Sequence, residues 1–259
     1  MISGRNKNNS IFTLFVYSVS AFLVMTATAF IFPLEFSSYE RSDFLAPFWN
    51  LITDTGGFIG GIVIFLFLMI ILILHFKMNA RKYSDMNLFL MLVFLIFVFT
   101  MGFSQWYLKD CFKKPRPYQL FFIEKGLISN NGEQFFSMPR NQKSEYLQGL
   151  VKKNNESLSN VSLPVLNAWI YESGFSFPSG HAQTSFYYAV IFGFVFLNIL
   201  PREKKYITFI PFIWAVLVSL SRIILGLHYP VDIAAGAFAG MLSGFVSISL
   251  PLTARVFRK

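Results

Sequence analysis

Six long apolar stretches constrain this chain more than any other feature. Each stretch approaches or exceeds the roughly 20 residues that an α-helix needs to cross about 30 Å of hydrocarbon. They cover about residues 11–34, 57–76, 86–108, 181–200, 206–227 and 230–252. Hydrophobic residues make up 54% of the chain, more than a soluble domain of this length needs to fill one core. The sequence therefore predicts an all-α fold, a single integral membrane domain of six transmembrane helices over residues 1–259.

The net charge of +9 would suit a nucleic-acid-binding protein only if the basic residues formed one surface. Instead, eleven of the 22 lie in the two termini and in two short connections between spans. Those four segments share one side of the membrane if the spans alternate. The connection 35–56 carries only Arg41 against four carboxylates. The positive-inside rule therefore predicts cytoplasmic termini. Because the basic residues do not form one surface, we expect no nucleic-acid partner. Nine more basic residues, between Lys109 and Lys153, lie on the opposite side, in a long segment where they count only weakly against this orientation.

The first apolar stretch has two possible interpretations. Arg5 and Lys7 precede an apolar run that passes Ala27–Ala29, as in a cleaved signal peptide. The run continues to Leu34 and is longer than a usual signal core. We therefore expect an uncleaved membrane anchor.

The segment 118–177 is the one large insertion between the spans. Its polar middle, including residues 152–156, cannot lie in hydrocarbon without a large desolvation cost. Apolar residues recur at helical spacing from Tyr146 to Val151, which predicts an amphipathic helix. Two interpretations stay open: a lid or entrance wall beside a site, or a solvated loop with one packed helix.

Three clusters of charged and polar residues lie at the ends of the apolar stretches. They are Lys109 with Arg116-Pro117, then Pro178-Ser179-Gly180-His181, then Ser221-Arg222 with His228 and Asp232. Alternation of the spans puts all three clusters on the extracytoplasmic face. We therefore expect them to form one site.

The cations in these clusters fit phosphoryl chemistry. A phosphate ester carries up to two negative charges, and its transition state spreads charge over oxygens that need fixed donors. Lys109, Arg116 and Arg222 would supply those donors. Ser179 resembles a helix N-cap and Gly180 permits close backbone approach, so the start of the fourth span also favours an anion.

The histidines could supply the chemistry. A carboxylate such as Asp232 can hold one imidazole nitrogen of His228 and leave the other free to attack phosphorus. His181 would sit beside the bound anion. Carboxylates near these clusters are too few for a magnesium cage, which predicts a reaction without a metal.

At these residues the chain resembles the type 2 phosphatidic acid phosphatase superfamily, whose pattern is K-x6-RP, then PSGH, then SR-x5-H-x3-D. The three clusters fit this pattern without a gap. Within the superfamily, the chain is most similar to the bacterial phosphatidylglycerophosphatase B family. That closer likeness is carried by Trp49, Thr53-Asp54-Thr55, the long insertion and Gly174-Phe175-Ser176-Phe177.

The resemblance implies a phosphohistidine route without metal or cofactor. His228 would be the nucleophile, Asp232 its orienting partner and His181 the acid. The phosphate-binding residues would be Lys109, Arg116, Ser179, Gly180 and Arg222. The implied substrate is phosphatidylglycerophosphate, with undecaprenyl pyrophosphate, phosphatidic acid and lysophosphatidic acid as further lipid phosphates. The implied location is the bacterial inner membrane, with the site on the periplasmic face.

Alternatives to this function stay open at the sequence level. Lipid A phosphatases share the same core motifs. A vanadium-dependent haloperoxidase has a similar anion site but is soluble, and a non-catalytic lipid carrier or scaffold predicts a damaged motif. Residues that match no motif position are given no catalytic role. We expect His75 to be interfacial and Lys113 and Lys114 to be solvated or to contact lipid headgroups, and we assign Cys111 no role.

Overall fold

The computed structural model describes residues 2–31, 45–79, 83–251 and 256–257, with side chains from residue 10 onward. Every regular element in these ranges is helical, which confirms the predicted all-α fold. The α-helices are α1 (Ile2–Ile31), α2 (Leu45–Thr55), α3 (Phe58–Met78), α4 (Tyr83–Gly102), α5 (Lys109–Phe112), α6 (Pro117–Glu124), α7 (Glu133–Ser137), α8 (Arg140–Lys153), α9 (Leu163–Tyr171), α10 (Gly180–Ile199), α11 (Ile210–Ile224) and α12 (Pro230–Ser249). A π-helical turn, Phe103–Leu108, joins α4 to α5, and 3-10 turns precede α7 and α11.

Six helical stretches are long and apolar enough to cross a membrane, as the sequence predicted. They are Ser10–Ile31, Phe58–Met78, Tyr83–Glu124, Gly180–Ile199, Arg202–Ile224 and Pro230–Ser249. The third extends beyond the predicted 86–108 because it includes the π-helical turn, α5 and α6, with a non-helical turn at 113–116. The ends predicted for the first and last spans, 32–34 and 252, lie outside the described residues. So do many of the charges used for orientation, in 35–44, 80–82, 252–255 and 258–259.

Helix α10 forms the centre of the bundle. Nearly all of its residues from Ala182 to Leu197 are buried, and it packs against α1, α3, α4, α11 and α12. The contact with α12 is close because α12 carries a stripe of glycines. A Cβ at Gly236 would collide with the backbone carbonyl of Ser179, and one at Gly240 with that of Gln183. Small residues of this kind let two helix backbones approach in a membrane. The stripe brings the start of α10 against the start of α12.

The insertion folds into a second hydrophobic cluster. The predicted amphipathic helix is α8, which buries Leu147 and Leu150. Trp169 on α9 stacks on Tyr118 at 5.2 Å between ring centroids, and its Nε1 donates a hydrogen bond of 2.7 Å to the carbonyl of Leu225. Leu225 lies in the turn that follows α11. The insertion is therefore a packed wall against that turn, and not a solvated loop.

Candidate active site

The three sequence clusters meet at one end of the bundle. Lys109 begins α5, and Arg116 immediately precedes α6. Ser179 is the N-cap of α10, Arg222 lies in the last turn of α11, and Asp232 lies in the first turn of α12. Gly180 and His181 are the first two residues of α10, and His228 lies in the turn between α11 and α12. The structure thus assembles every candidate residue from helix ends on the same side of the bundle.

Arg116 is the most extensively bonded cation of the site. Its side chain is buried, and Nε donates to the carbonyl of Gly174 at 2.8 Å. Nη1 donates to the carbonyl of Leu227 at 3.0 Å and lies 3.1 Å from Nε2 of His228. Since arginine has no acceptor, the last contact requires a lone pair on that imidazole nitrogen. Arg116 therefore holds the Nε2 edge of the His228 ring.

Glu172 lies at the centre of the cation cluster, and the sequence analysis missed it. Its carboxylate accepts from Arg116 Nη2 at 2.8 Å and lies 3.0 Å from Arg222 Nη2. The same carboxylate is 3.8 Å from Nδ1 of His181. Glu172 caps the end of α9, and its backbone carbonyl accepts a hydrogen bond of 3.1 Å from Tyr118. A carboxylate therefore occupies the position where the cations would bind an anion.

Arg222 is held from the opposite side by Thr53, whose hydroxyl accepts from Nη1 at 2.8 Å. The Arg222 side chain is buried. Among the described residues, Nε and Nη2 find no well-aligned hydrogen-bond acceptor, although Nη2 is within ion-pair distance of Glu172. Buried guanidinium donors without aligned partners are rare in folded proteins. Nε can therefore donate to an additional anion, whereas Nη2 already pairs with Glu172.

The start of α10 has the predicted geometry. The Ser179 hydroxyl accepts from the backbone amide of Ala182 at 3.4 Å, which confirms Ser179 as an N-cap. Gly180 lies close to Gln105, since a Cβ there would come within 2.8 Å of the end of the Gln105 side chain. His181 packs close to Gly57, where a Cβ would lie 3.2 Å from Nε2. The segment between α2 and α3 therefore covers His181.

His228 and Asp232 approach each other but are not directly hydrogen-bonded. Nδ1 of His228 lies 3.7 Å from Oδ2 of Asp232. Ser176 lies between them, 3.3 Å from Nδ1, and donates to the same Oδ2. Lys114 makes a 2.8 Å ion pair with Oδ1. The expectation that Lys114 is solvated or bound to headgroups is therefore wrong, because its ammonium holds the carboxylate.

Electrostatics of the site favour a neutral histidine and an ionised glutamate. Burial and the Arg116 guanidinium hold the pKa of His228 well below its ordinary value, and Asp232 offsets this only in part. Burial alone would raise the pKa of Glu172, but Arg222 and Arg116 outweigh it and hold that pKa well below its ordinary value. His228 is therefore an unprotonated imidazole at neutral pH, facing a cluster of cations.

Lys109 contributes through its charge. Within the described residues its ammonium forms no hydrogen bond or ion pair, but it adds to the positive field that lowers the pKa of Glu172. No group of three His, Cys, Asp or Glu side chains in the described ranges has the spacing of a metal site. His75 lies in the last turn of α3, whereas the start of α3 is the end near His181. Cys111 is exposed.

Residues 85–255 match the family model described as the PAP2 superfamily. The chain belongs to the PAP2 superfamily. The matched region holds all three clusters together with Glu172 and Ser176 of the insertion. Thr53 lies outside it, before the matched region begins.

Three relatives of this PAP2 protein carry the names of phosphatases. Phosphatidylglycerophosphatase B of Escherichia coli strain K12 is 28% identical over 215 residues, which is 82% of this chain and 78% of the relative. Lipid A 4'-phosphatase of Bacteroides thetaiotaomicron is 44% identical over 85 residues, 32% of this chain and 35% of the relative. Undecaprenyl-diphosphatase of Sulfolobus acidocaldarius is 34% identical over 79 residues, 30% of this chain and 35% of the relative. These comparisons support a multi-pass lipid phosphatase.

Proposed function

We propose that this PAP2 protein removes the terminal phosphate of phosphatidylglycerophosphate through a phosphohistidine intermediate on His228. Undecaprenyl pyrophosphate, phosphatidic acid and related lipid phosphates are proposed as further substrates. The observation that carries the proposal is the meeting of the buried Arg116 and Arg222 guanidinium groups with His228, whose Nε2 lies 3.1 Å from Arg116 Nη1. Within the described residues Arg222 Nε has no aligned acceptor, so a phosphoryl group there would accept from it and meet the imidazole lone pair.

In the first step, Nε2 of His228 attacks phosphorus while the bond from phosphorus to the lipid oxygen breaks. His181 gives its proton to that leaving oxygen, so the lipid departs as an alcohol, or as a lipid phosphate if the substrate is a pyrophosphate. The developing charge on the phosphoryl oxygens would be held by Arg116, Arg222 and Lys109. The amides at the start of α10, which follow Ser179 and Gly180, would add fixed donors.

In the second step, water attacks the phosphohistidine and the phosphorus–nitrogen bond breaks. The electron pair returns to Nε2 of His228, and His181 takes the proton from the attacking water. Inorganic phosphate leaves and the enzyme returns to its starting state. Asp232 stabilises the imidazolium that exists between the two steps. We propose that protein cations perform the neutralisation, so that no metal ion takes part.

The experiment is phosphate release from a panel of detergent-solubilised lipids by wild type and by His228→Ala, with and without chelator. Wild type should release phosphate at the same rate in both conditions, with phosphatidylglycerophosphate as the preferred substrate. Full activity of His228→Ala would overturn the nucleophile. Loss of wild-type activity on chelation would overturn the metal-free route.

A lipid A phosphatase is the second candidate, favoured by the 44% identity to the Bacteroides relative over 85 residues. Including lipid A in the same panel distinguishes the two, since a rate on lipid A above that on phosphatidylglycerophosphate would select it. A non-catalytic carrier would release phosphate from no lipid in the panel. That alternative also predicts a damaged motif, and every motif position is present in this chain.

We propose the bacterial inner membrane as the location, with cytoplasmic termini and an extracytoplasmic site. The native thiol can first be removed as Cys111→Ser, because Cys111 is exposed. In that background, an impermeant maleimide should label Asn155→Cys in intact cells and Asn79→Cys only after permeabilisation. The reverse pattern would invert the topology.

A further inference from the structure

Ser176 lies between the imidazole of His228 and the carboxylate of Asp232. The distance of 3.7 Å between Nδ1 of His228 and Oδ2 of Asp232 is too long for a direct hydrogen bond. The Ser176 hydroxyl bonds to that same Oδ2 and lies 3.3 Å from Nδ1. Ser176 is fully buried, and its backbone amide donates to the carbonyl of Lys114 at 2.8 Å. The hydroxyl is therefore held in place between the two groups.

The donors around Asp232 determine the direction of each hydrogen bond. Oδ1 accepts from the Lys114 ammonium at 2.8 Å, and Oδ2 accepts from the backbone amide of Tyr229 at 2.9 Å. An ionised carboxylate has no proton to give, so the Ser176 hydroxyl must donate to it. A hydroxyl has one proton and can then only accept from His228. The imidazole proton therefore lies on Nδ1.

The other side of the imidazole selects the same tautomer independently. Arg116 Nη1 lies 3.1 Å from Nε2 of His228, and a guanidinium can only donate. Nε2 must therefore carry a lone pair. Contacts from two different parts of the chain thus agree that Nδ1 holds the proton and Nε2 is bare.

We infer that Ser176 is a positioning residue that links Asp232 to His228 and holds the imidazole in the tautomer whose Nε2 can attack phosphorus. This inference rests on the proposed function of His228. When Nε2 bonds to phosphorus, the ring becomes positively charged while its proton stays on Nδ1. The Ser176 oxygen accepts that proton's hydrogen bond, and the negative charge of Asp232 acts on the ring through the hydroxyl. No proton leaves the imidazole in this step.

The kinetic test compares two substitutions at Ser176 with a matched control in detergent-solubilised full-length protein. Ser176→Ala and Ser176→Cys should each lower kcat by about 10- to 100-fold with little change in KM, because a hydrogen bond to a charged group is lost while phosphate binding is kept. Cysteine preserves the volume but donates weakly. The control is Ser173→Ala, since Ser173 is equally buried but its hydroxyl bonds to the carbonyl of Arg140. The control should keep wild-type kcat.

A double-mutant cycle separates positioning from packing. If Ser176 acts through Asp232, Ser176→Ala combined with Asp232→Asn should be no slower than Asp232→Asn alone. Independent, multiplicative losses would overturn the inference, as would a wild-type kcat in Ser176→Ala or a high kcat in Ser176→Cys. If His228→Ala is itself active, the proposed function fails first, and the two failures are thereby distinguished.

Nitrogen-15 NMR provides a readout that does not depend on turnover. The chain has three histidines, so ¹⁵N-histidine labelling gives a spectrum simple enough to assign with single His→Gln variants. His228 should be neutral with its proton on Nδ1 in wild type. Because Arg116 still donates to Nε2, the tautomer should persist in Ser176→Ala, but the Nδ1 resonance should shift as its hydrogen bond to the hydroxyl is lost. The resonance should stay unchanged in Ser173→Ala. A wild-type proton on Nε2, or an Nδ1 resonance that is the same in wild type and Ser176→Ala, would contradict the assignment.

Discussion

Replacing Glu172 by glutamine should lower the stability of the protein and raise its affinity for phosphate. The Glu172 carboxylate lies 2.8 Å from Arg116 and 3.0 Å from Arg222, both of which are only 1% exposed. Breaking a buried ion pair removes about 3–5 kcal/mol of stability. Arg116 keeps its bonds to two backbone carbonyls, which brings the expected loss nearer 2–3 kcal/mol. For a chain of this size, that is a fall of about 5–10 °C in Tm.

Phosphate should reverse this loss. In Glu172→Gln, an incoming anion no longer competes with a carboxylate for the two guanidinium groups. Hydrogen bonds to charged groups contribute about 1.5–3 kcal/mol, so inhibition by inorganic phosphate should become about 10- to 100-fold stronger. Saturating phosphate, at about 100 times its Kd, adds about 2.7 kcal/mol of stability and should restore Tm.

The assays are tryptophan-fluorescence melting and phosphate inhibition of lipid hydrolysis, with Glu145→Gln as the control. Glu145 is an exposed residue of α8 in the same insertion, so the same substitution there should change neither value. An inhibition constant for phosphate that is unchanged or weaker in Glu172→Gln, with the fold intact, would refute the competition.

The same substitution has a pH dependence. The folded pKa of Glu172 is lowered, so its stabilisation is present above the ordinary value of 4.5 and is lost as the pH falls through the folded pKa. The gap in Tm between wild type and Glu172→Gln should therefore persist down to about pH 5 and narrow only below that range. A gap that closes between about pH 7 and pH 5 would contradict the lowered pKa.

Three further predictions address other parts of the site. Burial and the neighbouring guanidinium lower the pKa of His228, so the rate of single-turnover phosphoenzyme formation should not fall with a midpoint at pH 6.5 as the pH is lowered. Such a midpoint would argue against a neutral imidazole. Gly236→Ala should lower Tm, because the added methyl group forces α12 away from α10 and reduces the free energy of unfolding by about 1–3 kcal/mol. The control Gly149→Ala, where the methyl group enters open space, should raise Tm slightly. Equal effects of the two substitutions would exclude the close approach. Thr53→Ala should raise KM about 10-fold, because Arg222 loses the hydroxyl that accepts from its Nη1. Thr53→Ser keeps that hydroxyl and should keep the wild-type KM, whereas a packing role of the methyl group would predict a raised KM in both variants.

The sequence could predict the spans and the helix ends of the site because these depend on local signals. Apolar length predicts a span, Ser179 before an apolar run predicts an N-cap, and Pro230 predicts the start of α12. Alternation of the spans then predicts that the three clusters share a face. The structure brings them together at one end of the bundle.

The groups that the sequence analysis missed reach the site through distant packing. Glu172 is an ordinary polar residue of a polar insertion, and it meets Arg116 across 56 positions of the chain. Lys114 meets Asp232 across 118 positions. No periodicity marks either residue. Their roles depend on how the end of α9 meets Arg116 and Arg222, and on how the 113–116 turn meets the start of α12. Ser176 lies two residues before Pro178, but its role becomes apparent only from the 3.7 Å separation of His228 Nδ1 and Asp232 Oδ2 in the structure.

The covalent intermediate on His228 is the central claim, and trapping it is the most direct test. Wild-type protein should be mixed with a lipid carrying a labelled terminal phosphate, stopped within one turnover and denatured. The label should be stable in base and labile in acid, should map to the peptide that contains His228, and should be absent from His228→Ala. Label that survives acid, or that remains on His228→Ala, would contradict the phosphohistidine mechanism.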